Sequence, residues 1–181
     1  MDQVRIFALG GLDEDGKNML VVEVNEAIFI IEAGLKYPDT GQLGVEFIIP
    51  DFSYLIENKE RIQGIFITHA HDDVVAALPY LLKQVNAPVY TGALTANIIH
   101  EMLKKEGIKN AKIHRLKRCS KQTIGGVKIR TFPMTHAFPD NFGLAISTDQ
   151  GYIVYTGEFI VDYDMLQKEY LCDLNELSDI G

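Results

Sequence analysis

The sequence feature that most restricts the fold is the run His69-Ala70-His71-Asp72-Asp73, which follows a buried strand predicted over residues 65–68. Two imidazoles at positions i and i+2 beyond a strand end can point into one cleft, and a helix predicted over residues 74–83 begins directly afterwards. Imidazole nitrogens with a nearby carboxylate suit a divalent metal ion. A second interpretation is that Asp72 or Asp73 caps the helix and that the two histidines share no function.

Two further candidate ligands follow predicted strands in the second half of the chain. His136 comes just after a strand predicted over residues 127–133, and Glu158 comes just after one predicted over residues 152–156. We therefore expect five side chains to face one cleft at a sheet edge: His69, His71, Asp73, His136 and Glu158. His100 and His114 have no such setting, and we predict that both lie on the surface.

The apolar pattern predicts strands at the start of the chain and then strands and helices in alternation. Further strands are predicted over residues 4–9, 19–24, 27–31, 88–91 and 142–147, with a turn at 25–26 and helices over 93–105, closed by Gly107, and over 165–180. This order favours an α/β sandwich over a helical bundle or an all-β barrel. No repeat or linker interrupts the 181 residues, so we expect a single domain over residues 1–181.

Composition is typical of a soluble globular protein, with 47% hydrophobic and 23% charged residues. No apolar run approaches the roughly 20 residues that a membrane-spanning helix needs. The first residues lack the pattern of a signal peptide. Cys119 and Cys172 are not part of a Cys-x-x-Cys motif, which favours two reduced thiols. We therefore expect a cytoplasmic protein with no membrane partner.

The net charge of −8 is unevenly distributed along the chain. Eight of the seventeen basic residues lie within residues 104–121, the basic stretch, where Glu106 is the only acid. Nine acids and a single lysine follow Pro139. The overall charge argues against binding of nucleic acid, which depends on Lys and Arg, whereas the basic stretch alone could contact phosphates. The alternative is that this stretch is an ordinary solvated helix end and loop.

Several motifs together resemble the ribonuclease J family over nearly the whole chain. They are Ala8-Leu9-Gly10-Gly11-Leu12-Asp13-Glu14, Gly16-Lys17-Asn18-Met19, Ile67-Thr68-His69-Ala70-His71, Ala77-Leu78-Pro79-Tyr80-Leu81-Leu82, Pro133-Met134-Thr135-His136 with Pro139-Asp140, and Val154-Tyr155-Thr156-Gly157. The resemblance implies the first portion of a metallo-β-lactamase αββα sandwich, with the family's β-CASP insertion absent from this chain. It also implies a cytoplasmic ribonuclease with two-metal catalysis, 5′-to-3′ exonuclease and endonuclease activity, and roles in mRNA decay and rRNA maturation.

The resemblance also implies a role for each candidate ligand. It assigns His69, His71 and His136 to a first divalent ion, either zinc or manganese. It assigns Asp73 to a second ion, with a catalytic role in positioning water, and Glu158 to the position that bridges the two ions. RNA is the implied substrate and partner, and Lys117, Arg118 and Lys121 of the basic stretch are the candidates to contact it.

Three positions depart from the family pattern. Val74 stands where the family has a histidine, and both Glu32 and Glu158 stand where it has aspartate. Valine has no ligand atom, so we expect at most one well-held metal ion. Glu32 occupies a position from which a side chain can orient a histidine ligand.

These departures leave three interpretations of function. The first is a ribonuclease of weak activity, similar to the second, eroded paralogue that some bacteria carry. The second is a mainly structural subunit, in a homo-oligomer or in a hetero-oligomer with an active ribonuclease J paralogue. The third is another metallo-β-lactamase-fold hydrolase acting on a small ester, thioester or lactam, which would leave the motifs at residues 10–14 and 133–136 unexplained.

Overall fold

Two β-sheets pack face to face in a computed structural model of the protein, which describes residues 1–162, 164, 171–172 and 177–180. The larger sheet contains, in spatial order, β1 (Val4–Gly10), β2 (Met19–Val24), β3 (Ala27–Ile31), β4 (Ile62–Ile67), β5 (Val89–Thr91) and β6 (Ile113–Arg115). The smaller sheet, numbered in chain order, contains β7 (Ser120–Ile124), β8 (Val127–Pro133), β9 (Phe142–Thr148) and β10 (Gly151–Tyr155). Strands β1 to β3 and the whole smaller sheet are antiparallel, whereas β3 to β6 are parallel.

Helices cover the face of the larger sheet that lies away from the smaller one. They are α1 (Ser53–Glu57), α2 (Asp72–Val75), α3 (Leu78–Leu82) and α4 (Ala93–Lys105), with a 3-10 turn at Lys59–Arg61. Because parallel strands covered on both faces are buried throughout, every residue of β3 is buried. Ile28 and Ile30 pack toward the helices, and Phe29 and Ile31 pack toward the smaller sheet. The α/β sandwich predicted from the sequence is therefore confirmed.

The structure also corrects the helix predicted over residues 74–83, which is two short helices, α2 and α3. Pro79 has no N–H to donate to the carbonyl of Val75, so the first helix cannot continue through it. The carbonyl of Val74 instead accepts a hydrogen bond from the N–H of Ala33, at 2.7 Å. The turn that ends β3 thus binds the backbone of α2.

Sequence patterns missed two short strands and one helix. Strands β6 and β7 lie within or overlap the basic stretch, where no strand is predicted, and α1 follows the irregular segment after β3. The helix predicted over residues 165–180 lies mostly outside the described residues. Cys119 is exposed and Cys172 is half-buried. None of the helices described is both long and apolar enough to cross a membrane.

Candidate metal centre

The ends of three strands bring four candidate ligands together. His69 and His71 follow β4 of the larger sheet, whereas His136 and Glu158 follow β8 and β10 of the smaller sheet. Each of the four offers one ligand atom, and these atoms all lie within 4.8 Å of one another. The imidazole centroids are 4.6 Å apart for His69 and His71, 4.5 Å for His69 and His136, and 5.1 Å for His71 and His136.

Distances between the donor atoms fit a small cation. Nε2 of His69 lies 3.1 Å from Nδ1 of His71, and Oε2 of Glu158 lies 3.4 Å from Nε2 of His136 and 4.0 Å from Nε2 of His69. A tetrahedron with metal–ligand distances of about 2.0–2.1 Å has edges of about 3.4 Å. The four donors therefore need only small shifts to surround one ion.

A buried hydrogen-bond chain orients His69. The hydroxyl of Thr68 donates to Oε1 of Glu32 at 2.7 Å, and its oxygen lies 3.0 Å from Nδ1 of His69. Because the hydroxyl has a single hydrogen, Nδ1 of His69 is the donor in the second contact, which leaves a lone pair on Nε2. The backbone N–H of Thr68 also donates to Oε2 of Glu32, at 3.1 Å. Glu32 thus acts on His69 through Thr68, in the orienting role that its position suggested.

Burial keeps the central imidazole neutral. His69 is fully buried, and desolvation together with the neighbouring His136 and His71 lowers its pKa to about 3. Desolvation also lowers the pKa of His136. Neutral imidazole is the form that binds metal ions. Burial raises the pKa of Glu32 to about 8, although the hydrogen bonds from Thr68 favour its ionised form.

His136 is held in the other tautomer. Its Nδ1 accepts a hydrogen bond from the backbone N–H of Phe138 at 3.2 Å, so the ring proton lies on Nε2, facing Glu158. A metal ion at Nε2 requires that proton to leave and the Phe138 contact to break. His136 is therefore less prepared for metal binding than His69.

Asp73 lies beside the four donors but outside their group. Its Oδ2 accepts a hydrogen bond from Nδ2 of Asn18 at 3.0 Å, and its backbone carbonyl accepts one from the N–H of Asn18, also at 3.0 Å. Burial raises the pKa of Glu158, and the nearby Asp73 carboxylate raises it further. The Gly16-Lys17-Asn18-Met19 motif therefore contributes the residue that holds Asp73.

The alternative interpretation of this segment as a helix cap is wrong. His71 is the N-cap residue of α2, and no side chain there makes a capping hydrogen bond. Asp72 instead accepts a hydrogen bond from the hydroxyl of Tyr37 at 2.7 Å.

Val74 is 2% exposed and packs in the core beneath the helices. A Cβ on Gly34 would lie 1.6 Å from the carbonyl oxygen of Asp73, so only glycine permits this close approach.

The loop that carries His136 is tied down by residues that sequence patterns did not single out as site residues. Nδ2 of the buried Asn141 donates to the backbone carbonyl of Glu158 at 3.0 Å. Oδ2 of Asp140 accepts a hydrogen bond from the backbone N–H of Leu94 at 3.0 Å, at the start of α4. The N-cap residue of α4 is Gly92, which has no side chain that could accept this hydrogen bond. Neither Asn141 nor Asp140 lies in a periodic apolar pattern or at a spacing typical of metal ligands, so sequence patterns do not identify them.

Arg118 belongs to the same loop support. Its guanidinium donates to the backbone carbonyls of Asn141 and Met134, at 3.4 and 3.5 Å, and the side chain is half-buried. Lys117 and Lys121, the other two predicted RNA contacts, are exposed. His100 and His114 are also exposed, as predicted, and His114 stacks on Tyr90.

Comparison with known proteins agrees with this geometry. A beta-lactamase superfamily domain matches residues 39–174. The chain belongs to this superfamily. It is 42% identical over 179 residues to proteins named ribonuclease J 2 from Staphylococcus saprophyticus and Staphylococcus epidermidis, a match that covers 98% of this chain and 32% of each relative. The resemblance to ribonuclease J is thereby confirmed, and the chain spans about a third of the length of these relatives.

Solved structures share the fold at low sequence identity. A protein of unknown function from Enterococcus faecalis V583 superposes with a TM-score of 0.66 at 16% identity, covering 89% of this chain and 44% of that one. The short form of human tRNase Z superposes with a TM-score of 0.55 at 16% identity, covering 87% of this chain and 69% of that one. The predicted metallo-β-lactamase fold is confirmed.

Proposed function

We propose that the full-length protein is a ribonuclease of the J type with a degenerate metal centre, which hydrolyses RNA phosphodiester bonds slowly. The observation that carries this proposal is the convergence of His69, His71 and His136 at the ends of two strands, in a chain 42% identical to proteins named ribonuclease J 2. The activity proposed includes 5′-to-3′ exonuclease and endonuclease cleavage in mRNA decay and rRNA maturation.

The donor set favours zinc over manganese. Three imidazole nitrogens and one carboxylate oxygen match the ligands of tetrahedral zinc, whereas manganese prefers sites made mostly of oxygen. A divalent cation held there supplies positive charge to a scissile phosphate and lowers the pKa of a water molecule. In this proposal His69, His71 and His136 are the metal ligands.

The surrounding residues orient the reactants and exclude water. Asp73, held by Asn18, accepts a hydrogen bond from the attacking water and aligns it with the phosphate. The ring of Phe138 lies 5.9 Å from that of His69 and 5.6 Å from that of His71, and covers one side of the cluster. Neutral imidazoles avoid charge repulsion with a bound cation.

RNA contacts are proposed for the exposed lysines of the basic stretch. Lys117 and Lys121 are both exposed, and lysine binds phosphate as a point charge. Arg118 is proposed to support the His136 loop as well, since it bonds to carbonyls on both ends of that loop. We also propose a cytoplasmic location, as the resemblance to ribonuclease J implies.

The second candidate is a mainly structural subunit in an oligomer with itself or with an active ribonuclease J paralogue. Val74 supports it, because an apolar, buried side chain stands where a second metal ion would need a ligand. In this case RNA cleavage belongs to the partner. Metal at the histidine cluster then serves stability alone.

Comparing His71→Ala with His100→Ala in the full-length protein tests the proposal. His71 belongs to the cluster, whereas His100 is an exposed histidine on α4. We expect His71→Ala to lose bound zinc and to cleave 5′-monophosphorylated RNA at least about tenfold more slowly, with His100→Ala unchanged. Equal cleavage by both variants and the parent, in preparations free of any paralogue, would contradict the proposal. A parent that never cleaves RNA would favour the structural subunit.

A further inference from the structure

We infer that the β6 edge of the larger sheet binds single-stranded RNA by stacking an unpaired base on the imidazole of His114. The inference rests on RNA as the proposed partner and deepens it, because it adds a site for a base to the phosphate contacts proposed for exposed lysines. His114 is not among the candidate metal ligands, and the sequence predicts only that it lies on the surface.

A ladder of three rings crosses the parallel strands of the larger sheet. Phe66 on β4, Tyr90 on β5 and His114 on β6 are direct partners in the strand register. The ring centroids of Phe66 and Tyr90 are 5.1 Å apart with an angle of 19° between the rings, and those of Tyr90 and His114 are 4.9 Å apart with an angle of 18°. These separations are close to the spacing of about 4.8 Å between neighbouring strands. The sheet itself therefore holds the rings in a stack.

The middle ring of the ladder is held in place from two sides. Phe66 and Tyr90 pack in the core between the two sheets. A Cβ on Gly64 would lie 2.7 Å from Cε2 of Tyr90, so the absence of a side chain at Gly64 leaves the space that the tyrosine ring fills. Tyr90 thus gives His114 a fixed support, and little side-chain freedom remains to be lost when a base binds.

Exposure increases along the ladder toward the edge of the sheet. Phe66 is buried, Tyr90 is half-buried and His114 is exposed. In the described part of the chain β6 is the last strand of the larger sheet, and no strand follows it in the register. One face of the imidazole lies on Tyr90, and the opposite face is open. A flat ring that stacks on this face takes the next place in the ladder.

Positive charge surrounds this open place. Lys112 and Arg115 flank His114 in the sequence and are both exposed, and Arg115 is oriented by a hydrogen bond of 2.8 Å to Oδ1 of Asn97. Glu106, the only acid of the basic stretch, lies 2.7 Å from the ammonium group of Lys83. Sites for single-stranded nucleic acid combine cations for the phosphates with a ring on which a base stacks. Paired bases are already stacked within a duplex, so the edge fits unpaired nucleotides.

RNA binding by the full-length protein tests the stacking site with two probes, an oligouridylate and an abasic ribose-phosphate oligomer of the same length. We expect His114→Ala to bind the oligouridylate about tenfold more weakly, with the slope of log K against log salt unchanged, because a base contact is lost and no phosphate contact is. Affinity for the abasic oligomer should not change. His114→Phe, which keeps a flat ring, should retain parental affinity, and His100→Ala, at an exposed position of α4, is the control.

Three outcomes would overturn the stacking site: parental affinity of His114→Ala for the oligouridylate, an equal loss of affinity for both probes, or a His114→Phe variant as weak as His114→Ala. Circular dichroism melting shows whether each variant is folded, and His114→Gln repeats the test if His114→Ala is not. RNA cleavage separates this inference from the proposed function. A parent that cleaves RNA and binds it independently of His114 retains the ribonuclease and loses the stacking site, whereas an inactive parent whose affinity depends on His114 does the reverse.

Discussion

On one side of the cleft three imidazoles converge, whereas on the other side a single carboxylate, Asp73, stands next to the apolar Val74. We call these the histidine side and the aspartate side. On the histidine side His69 is fully buried and is oriented by Thr68 and Glu32, whereas His71 and His136 are half-buried. The aspartate side has hydrogen bonds from Asn18 to Asp73 and a side-chain contact between Asp73 and Glu158, but position 74 offers no ligand atom and Val74 packs into the core.

The difference shows which parts of a metal centre the fold itself maintains. The histidines at the ends of β4 and β8 are positioned by strands whose burial is required for folding. The fold therefore maintains the positions of these ligands. A ligand at position 74 lies on a four-residue helix, where an apolar side chain improves packing beneath it. The second metal position can therefore be lost without loss of the fold.

The largest expected effect comes from restoring the aspartate side. In the full-length protein, Val74→His with Glu158→Asp should bind a second cation and cleave RNA about a hundredfold faster than the parent. The gain should exceed the sum of the single variants, because both residues would serve one pair of ions. Metal content and cleavage of 5′-monophosphorylated RNA measure the two effects.

Val74→His alone is the control for this pair. Val74 is 2% exposed, so a larger polar ring there should lower stability by about 1–3 kcal/mol, measured by thermal or urea unfolding. A double variant that holds two ions and still cleaves as slowly as the parent would locate the defect elsewhere, in Glu32 or in the RNA contacts. That result would favour the structural subunit.

A smaller effect is expected from loosening the histidine side. Thr68→Val keeps the side-chain shape but removes the hydroxyl that joins His69 to Glu32, so zinc affinity should fall about 10–100-fold. Thr123→Val, at an exposed position of β7, is the matched control. Competition with a fluorescent chelator measures both affinities. Equal zinc affinity of the two variants would show that His69 does not depend on this hydrogen-bond chain.

The smallest effect concerns the exposed lysines. Replacing Lys117 or Lys121 with alanine should reduce the dependence of log K on log salt by up to about one for each lost phosphate contact. Lys59→Ala, an exposed lysine outside the basic stretch, should leave the slope unchanged. An unchanged slope for all three variants would mean that the basic stretch is an ordinary solvated surface.

Strong periodic patterns allowed much of the fold to be predicted from the sequence. Strands β2, β3 and β8 and helix α4 have the predicted bounds, because long apolar patterns and Gly107 mark them clearly. Periodicity did not show the break between α2 and α3, which Pro79 marks. The hydrogen bonds that hold the α2 backbone come from Ala33 and Asn18, which are distant in sequence.

The candidate site was only partly predictable for a similar reason. His69, His71, His136 and Glu158 follow strands, so their convergence is a property of sheet topology. Thr68, Asn141 and Arg118 act through contacts between separate elements. The spacing of residues along the sequence does not predict such contacts. Arg118 is half-buried and donates hydrogen bonds to the loop that carries His136, although it lies in a charged stretch whose lysines are exposed.

The number of zinc ions held by the full-length protein tests the central claim most directly. The protein would be loaded with zinc, dialysed against metal-free buffer and measured by native mass spectrometry, so that each chain's ions are counted. One ion per chain is the predicted result, because the histidine side with Glu158 offers four donors and Val74 offers none. Two retained ions per chain would contradict the account.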